Sequence, residues 1–344
     1  MQTAETKLSL KLEPFSSLTL ARYEFRLQAR EEVELPALLG STLRGAFGHA
    51  FKAIACSVAH QDCNRCLLRD VCVYPTFFES QTEDARNLLG KNQSAPRPYI
   101  FQPPVPPLTR RISQQQELKL HVAAGGSVSF NLTIFGTERR KLPYVIHAVS
   151  LMAQHGLGAS RAPFDLVEVA VLNEADEKSS IYTPHVERVA SHDNHVTTLD
   201  TLVAARLQGI KSADRVTLRL LTPLRVRQQG AVQETLDCPR LINNLSRRLA
   251  VVNDAYGIAP HAFDYKALLA QATTVSTERA DLWRHNFERL SNRQHQKISQ
   301  DGLLGEITFH GAALEELLPL LVTGEFLHVG SGTPFGLGRY RIVG

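Results

Sequence analysis

The chain has 344 residues, a formal net charge of +4 and a pI near 8.8. That length accommodates two domains of ordinary size, and no apolar run approaches the ~18 residues of a membrane span. The Met1–Glu13 segment has no signal-peptide core, so a cytoplasmic protein is expected, and five cysteines in so long a chain exclude a secreted disulfide scaffold.

Mild basicity admits nucleic acid as a partner without requiring it. Arginine far outnumbers lysine. Its planar fork suits phosphates and base faces, although a GC-rich genome produces the same bias.

In chain order, Leu18–Leu27 alternates through Tyr23, Phe25 and Leu27 and predicts a half-buried strand. Pro36 then opens a helix to about Ala55, with Leu39, Leu43, Phe47, Ala50, Phe51 and Ile54 on one side. The other side carries Ser41, Arg44, Gly45, Gly48, His49 and Lys52, with His49 and Lys52 neighbours at i, i+3. An interior glycine costs a helix ~1 kcal/mol against alanine. Two of them beside a histidine and a lysine predict a close approach by backbone or ligand, so this face is the first candidate for function.

Cys56, Cys63, Cys66 and Cys72 follow within seventeen residues, including one C-x2-C pair. The spacing has the character of a structural metal site, with tetrahedral zinc stapling a loop that lacks a core. It matches neither common ferredoxin pattern, and unligated thiols are the alternative. Nothing nearby completes an open catalytic metal site.

Residues 92–108 are proline-rich and read as an extended connector. A strand at Val128–Phe135, Gly136, a helix at about Leu142–His155, Gly156, Gly158, Pro163-Phe164 and a strand at Leu166–Leu172 come next. The C-terminal end repeats this layout: strand Gly305–Gly311, a helix at about Ala313–Val322, then His328, Gly330, Gly332, Pro334-Phe335 and a final strand. The copies lie about 175 residues apart and read as duplication of one supersecondary unit. Asn173–Asp214 is polar and reads as a linker or variable segment; beyond it come a strand at Arg215–Thr222 and a helix at about Arg240–Tyr256. The expected fold is α+β: two tandem ferredoxin-like (βαββαβ) domains over residues 1–172 and 215–344, the first carrying the cysteine-rich insertion 56–72.

The terminal stretch Gly324–Ile342 holds Gly330, Gly332, Gly336 and Gly338 among apolar residues that read as strand. It is no Walker loop, because no Gly-Lys-Ser/Thr follows, and it opens no helix as a dinucleotide fingerprint would. Two readings stand: a cradle of free N–H groups with arginines for phosphate, or a ligand-free hairpin tip. Basic pairs such as Arg139/Arg140, Arg225/Arg227 and Arg339/Arg341 favour a nucleic-acid groove when taken with the glycines.

Leu39–Ala50, the cluster ending Cys72-Val73-Tyr74, Pro96-Arg97-Pro98-Tyr99, Thr222-Pro223-Leu224-Arg225, Leu290-Ser291-Asn292-Arg293-Gln294 and His328–Tyr340 together resemble the CRISPR-associated endoribonucleases that process precursor crRNA. These belong to the repeat-associated (RAMP) superfamily, and the likeness runs nearly the whole length. It implies cleavage of the CRISPR repeat without metal, by 2′-OH attack, leaving 2′,3′-cyclic phosphate and 5′-OH ends. It assigns catalysis to His49, Lys52 and Tyr23. It places Arg44, Arg225, Arg293, Arg339 and Gly330, Gly332, Gly336 and Gly338 at the RNA, with His328 nearby. No cofactor is implied for catalysis; zinc on the four cysteines would be structural. The implied partner is repeat RNA or pre-crRNA. A non-catalytic crRNA-holding subunit among other CRISPR effector-complex subunits is the alternative.

Overall fold

A computed structural model describes residues 17–58, 63–78, 96–107, 109–110, 118–185, 196–228, 231–259, 263–286, 288–291, 296–299 and 301–343. The first half is built on strand β1 (Thr19–Ala29). Its alternation buries Tyr23, Phe25 and Leu27 on one face and sets Arg22 and Arg26 on the other, where they pair with Asp176 and Glu168 at 2.6 and 2.9 Å. Helix α1 (Gly40–Ala55), strand β2 (Tyr99–Gln102), strand β3 (Ser127–Phe135), helix α2 (Leu142–His155) and strand β4 (Phe164–Leu172) follow. The sheet runs β2–β3–β1–β4, and every neighbouring pair is antiparallel. This is the βαββαβ order expected for a ferredoxin-like unit. The proline-rich segment is more than a connector, because its Tyr99–Gln102 stretch is the edge strand.

The segment expected as a linker is also structured. Strand β5 (Lys178–Tyr182) extends the first sheet beside β4, and Thr197–Thr198 pairs with the start of β1. Helix α3 (Leu199–Leu207) buries Leu199, Leu202 and Val203 in the core of the second half. Its high polarity reflects exposed turns around short elements rather than absence of structure.

The second half repeats the order with β6 (Arg215–Leu224), α4 (Cys238–Tyr256), β7 (Ser276–His285), β8 (Gly302–His310), α5 (Leu314–Leu327) and β9 (Tyr340–Val343). Its sheet runs β7–β8–β6–β9, all antiparallel. Asp237 caps α4 by accepting from the Arg240 amide at 2.8 Å, and Pro239 occupies the first turn. Helix α5 continues five residues past the expected end, through the stretch Gly324–Leu327 that reads as strand flank. The helix is held there by packing: a Cβ on Gly324 would lie 2.1 Å from the Tyr340 hydroxyl, so glycine lets β9 seat against the helix.

The halves share apolar surface. Leu18, Leu20, Ile100 and Phe135 of the first half are buried in the core of the second. Phe135 stacks on Tyr256, whose hydroxyl donates to the Pro96 carbonyl. No helix among the described residues is long and apolar enough to cross a membrane.

Candidate active site and nucleic-acid interface

Helix α1 displays the expected division of faces. Leu43, Phe47, Ala50 and Phe51 are buried, Lys52 is half-buried and His49 is exposed. The Lys52 ammonium lies 5.6 Å from the centroid of the Tyr74 ring, which orients it without neutralising it. The helix contains no acidic residue; Arg44, His49 and Lys52 are its basic residues.

Tyr23 is elsewhere. It is fully buried in the first core, opposite Leu132 and Val171 in the sheet, because the alternation that builds β1 turns it beneath the helices. The structure thus brings His49 and Lys52 together on one surface and keeps Tyr23 off it.

The terminal glycine segment is folded into the protein rather than open. The Val329 amide donates to Gly338 O at 3.1 Å, and the Gly338 amide donates to Pro223 O at 3.0 Å. Ser331 donates to Arg225 O at 2.9 Å, and Gly336 donates to Thr333 O at 2.9 Å. The Thr222 hydroxyl donates to Gly336 O at 2.7 Å and accepts from the Arg339 amide at 2.9 Å. The N–H groups of Ser331, Gly338 and Arg339 are therefore spent on the Thr222–Arg225 strand end, and those of Val329, Phe335, Gly336 and Leu337 within the segment itself. A pairing so distant in sequence leaves no local signal.

The segment does a second job. Phe335 and Gly336 reach into the first half, so that a Cβ on Gly40 would lie 1.7 Å from Phe335 O, and one on Gly336 2.6 Å from Phe101 O. The Arg44 guanidinium lies between the Phe78 and Phe335 rings, 5.4 and 5.5 Å from their centroids. It therefore seats the terminal segment on α1. A cleft opens beside this contact, lined by Leu38, Ser41, Pro103, Pro104, Phe335 and Leu337.

Arg225 and His328 are interior rather than beside a groove. Arg225 is 9% exposed and lies 3.6 Å from Asp301; burial lowers its pKa and the Asp301 charge opposes the shift. His328 is fully buried. Its Nδ1 donates to Leu337 O at 3.2 Å, which leaves Nε2 to accept from the Gln102 amide at 3.1 Å. Burial, with Arg339 and Arg248 nearby, holds its pKa well below the usual imidazole range, so it is neutral. Arg339 is half-buried; burial and Arg341 lower its pKa, against the charges of Asp176 and Glu325. Arg293 lies outside the described residues.

The cysteines do not form a donor set as placed. Cys56 donates to Val58 O at 3.0 Å and Cys72 to Ala55 O at 3.8 Å; all four thiols are unbridged and half-buried. Among the described residues no three His, Cys, Asp or Glu side chains gather to hold a metal ion.

Sequence reasoning missed three contributors: Phe335 as the bridge to α1, Thr222 as the pin of the terminal segment, and Glu325. The Glu325 carboxylate, 1% exposed, pairs with Arg206 at 2.8 Å and Arg341 at 3.3 Å and accepts from the Ile342 amide at 2.6 Å. All three stand in stretches that the sequence singles out, but nothing local shows that their partners lie in other elements.

The fold is thus two ferredoxin-like units in tandem, joined through a terminal segment that packs on the first helix. Residues 18–194 match the family model "AF_1859_N, N-terminal domain", and residues 218–340 match "CRISPR-associated endoribonuclease Cas6". The chain belongs to the AF_1859_N family over residues 18–194 and carries a CRISPR-associated endoribonuclease Cas6 domain over residues 218–340, which marks it as a CRISPR-associated protein of RAMP type. It is 26% identical over 331 residues to an uncharacterized protein of Archaeoglobus fulgidus, covering 95% of this chain and 98% of that one. Among solved structures it is similar to Thermus thermophilus Cas6, with TM-score 0.53, 14% identity, and 95% and 99% of the two chains covered. A partial Cas6-RT-Cas1–Cas2 complex gives TM-score 0.55 at 11% identity, covering 96% of this chain and 47% of that one.

Proposed function

We propose that the protein binds the CRISPR repeat of precursor crRNA and cleaves it by transesterification, without a metal ion in the chemistry. The observation that carries this reading is His49 beside Lys52 on the surface of the acid-free helix α1, in a chain with an endoribonuclease domain at 218–340. A solved Cas6 in complex with its product shares the fold at TM-score 0.50.

In the proposed step the ribose 2′ oxygen attacks the adjacent phosphorus and the P–O5′ bond breaks, leaving a 2′,3′-cyclic phosphate and a 5′-OH. The proton lost from the 2′-OH and the proton gained by the 5′ oxygen balance. Imidazole titrates near neutral pH and suits such transfers, which assigns them to His49. Lys52 faces the charge that develops on the phosphorane. Arg339 and the arginine-rich surface supply salt-sensitive affinity, while Arg44 and the terminal glycines hold the junction against which RNA lies.

The test is incubation with labelled repeat RNA in EDTA beside RNA carrying a 2′-deoxy nucleotide at the scissile position. Cleavage of the first and not the second supports the reading; cleavage of both, or only with added metal, refutes it. Burial of Tyr23 favours a second reading, a crRNA-holding subunit of an effector complex, since it leaves two candidate groups for catalysis instead of three. Tight binding with intact RNA would select it.

A further inference from the structure

An interior helical glycine is destabilising relative to alanine and usually makes room for something. In α1, Gly40 makes room for the Phe335 carbonyl and Gly48 for the Phe78 ring, 3.0 Å from where a Cβ would stand. Among the described residues a Cβ on Gly45 would meet nothing within 4 Å, so none of them accounts for this glycine.

Its surroundings suggest what does. Ser41, one turn earlier, lines the cleft between the two halves together with Pro103, Pro104, Phe335 and Leu337. One turn later stands His49, and Lys52 follows at i+7. Arg44 lies beside it, and the helix carries no carboxylate to repel an anion. The site therefore joins a bare stretch of helix backbone to two basic side chains one and two turns on, with a narrow cleft at its N-terminal side.

We propose that Gly45 is the point where the RNA sugar–phosphate backbone crosses α1. The strand passes over Gly45 and presents its phosphate to His49 and Lys52, about 6 and 10 Å further along the helix axis. This rests on the endoribonuclease reading and adds a positioning residue to it.

The test compares Gly45→Ala and Gly45→Leu with Ala53→Gly, an exposed position on the same helix, in melting temperature, repeat-RNA affinity and single-turnover cleavage. Gly45→Ala raises the melting temperature by about 2 °C and weakens RNA affinity about tenfold. Gly45→Leu weakens it further. Ala53→Gly lowers the melting temperature and leaves both RNA readouts unchanged. Gly45 variants that bind and cleave like the wild type overturn the proposal while sparing the endoribonuclease reading. A wild type that binds repeat RNA without cutting it leaves affinity as the deciding readout, and one that does not bind overturns both.

Discussion

The two halves leave their second helix through the same backbone conformation but build it from different residues. Gly156 follows α2 at φ 90° and ψ 153°, and His328 follows α5 at φ 54° and ψ 165°. This region is essentially reserved for glycine and costs other residues ~1–3 kcal/mol. In the first half the chain turns tightly on itself, with Leu157 bridging Ala162, and a Cβ on Gly156 would lie 2.0 Å from Arg161 O. In the second half a side chain is present, and it reaches Gln102 in the other domain. A duplicated connector thus closes a turn in one copy and joins two domains in the other. The strain at His328 is offset by hydrogen bonds that only a side chain there can make.

Breaking what the two connectors share should cost most. Gly156→Ala and Gly338→Ala each place a Cβ within 2.0 Å of a carbonyl oxygen at positive φ, and each should lose about 4 kcal/mol in urea unfolding. Breaking what only the second connector has should cost less and read differently. Gly336→Ala pushes on Phe101 O across the junction. We expect about 2–3 kcal/mol and a calorimetric transition split in two as the halves uncouple; one sharpened or unchanged transition would contradict the bridge.

The next effect depends on pH. Folded His328 has its pKa held well below the ordinary 6.5, so below that value the unfolded chain binds a proton that the folded chain does not. Stability should fall by up to about 1.4 kcal/mol per pH unit as pH drops under about 6.5, and gain nothing from this group above it. His328→Gly should relieve strain, lose the Gln102 contact and flatten that slope, as melts between pH 7.5 and 5 would show. The smallest effect is at Phe335→Leu, which keeps apolar bulk but removes the ring facing Arg44, for about 1 kcal/mol in thermal unfolding.

The elements most legible in sequence were those whose signal is local. The α2 span, the alternation of β1 and the division of α1 into apolar and polar faces follow from side-chain period alone. The duplicated layout was legible because both copies keep glycine, helix and Pro-Phe in order. The rest depended on partners far away in the chain. Tyr99–Gln102 becomes a strand because β3 offers it an edge, and α3 is a helix whose apolar side belongs to the second core. Sequence alone leaves the glycine segment between a cradle and a hairpin tip, because the partners of Ser331, Gly338 and Arg339 lie more than a hundred residues away at Thr222–Arg225. Arg225 and His328 look like surface groups in sequence for the same reason.

The central claim, that His49 on α1 carries the chemistry of a protein built to hold RNA, is tested most directly by single-turnover cleavage of repeat RNA with His49→Ala at saturating protein. The imidazole is exposed, so the substitution should leave stability and RNA affinity unchanged. The predicted result is a rate at least about 100-fold lower with binding intact. A variant that cleaves as fast as the wild type would contradict the account and move the active site off this helix.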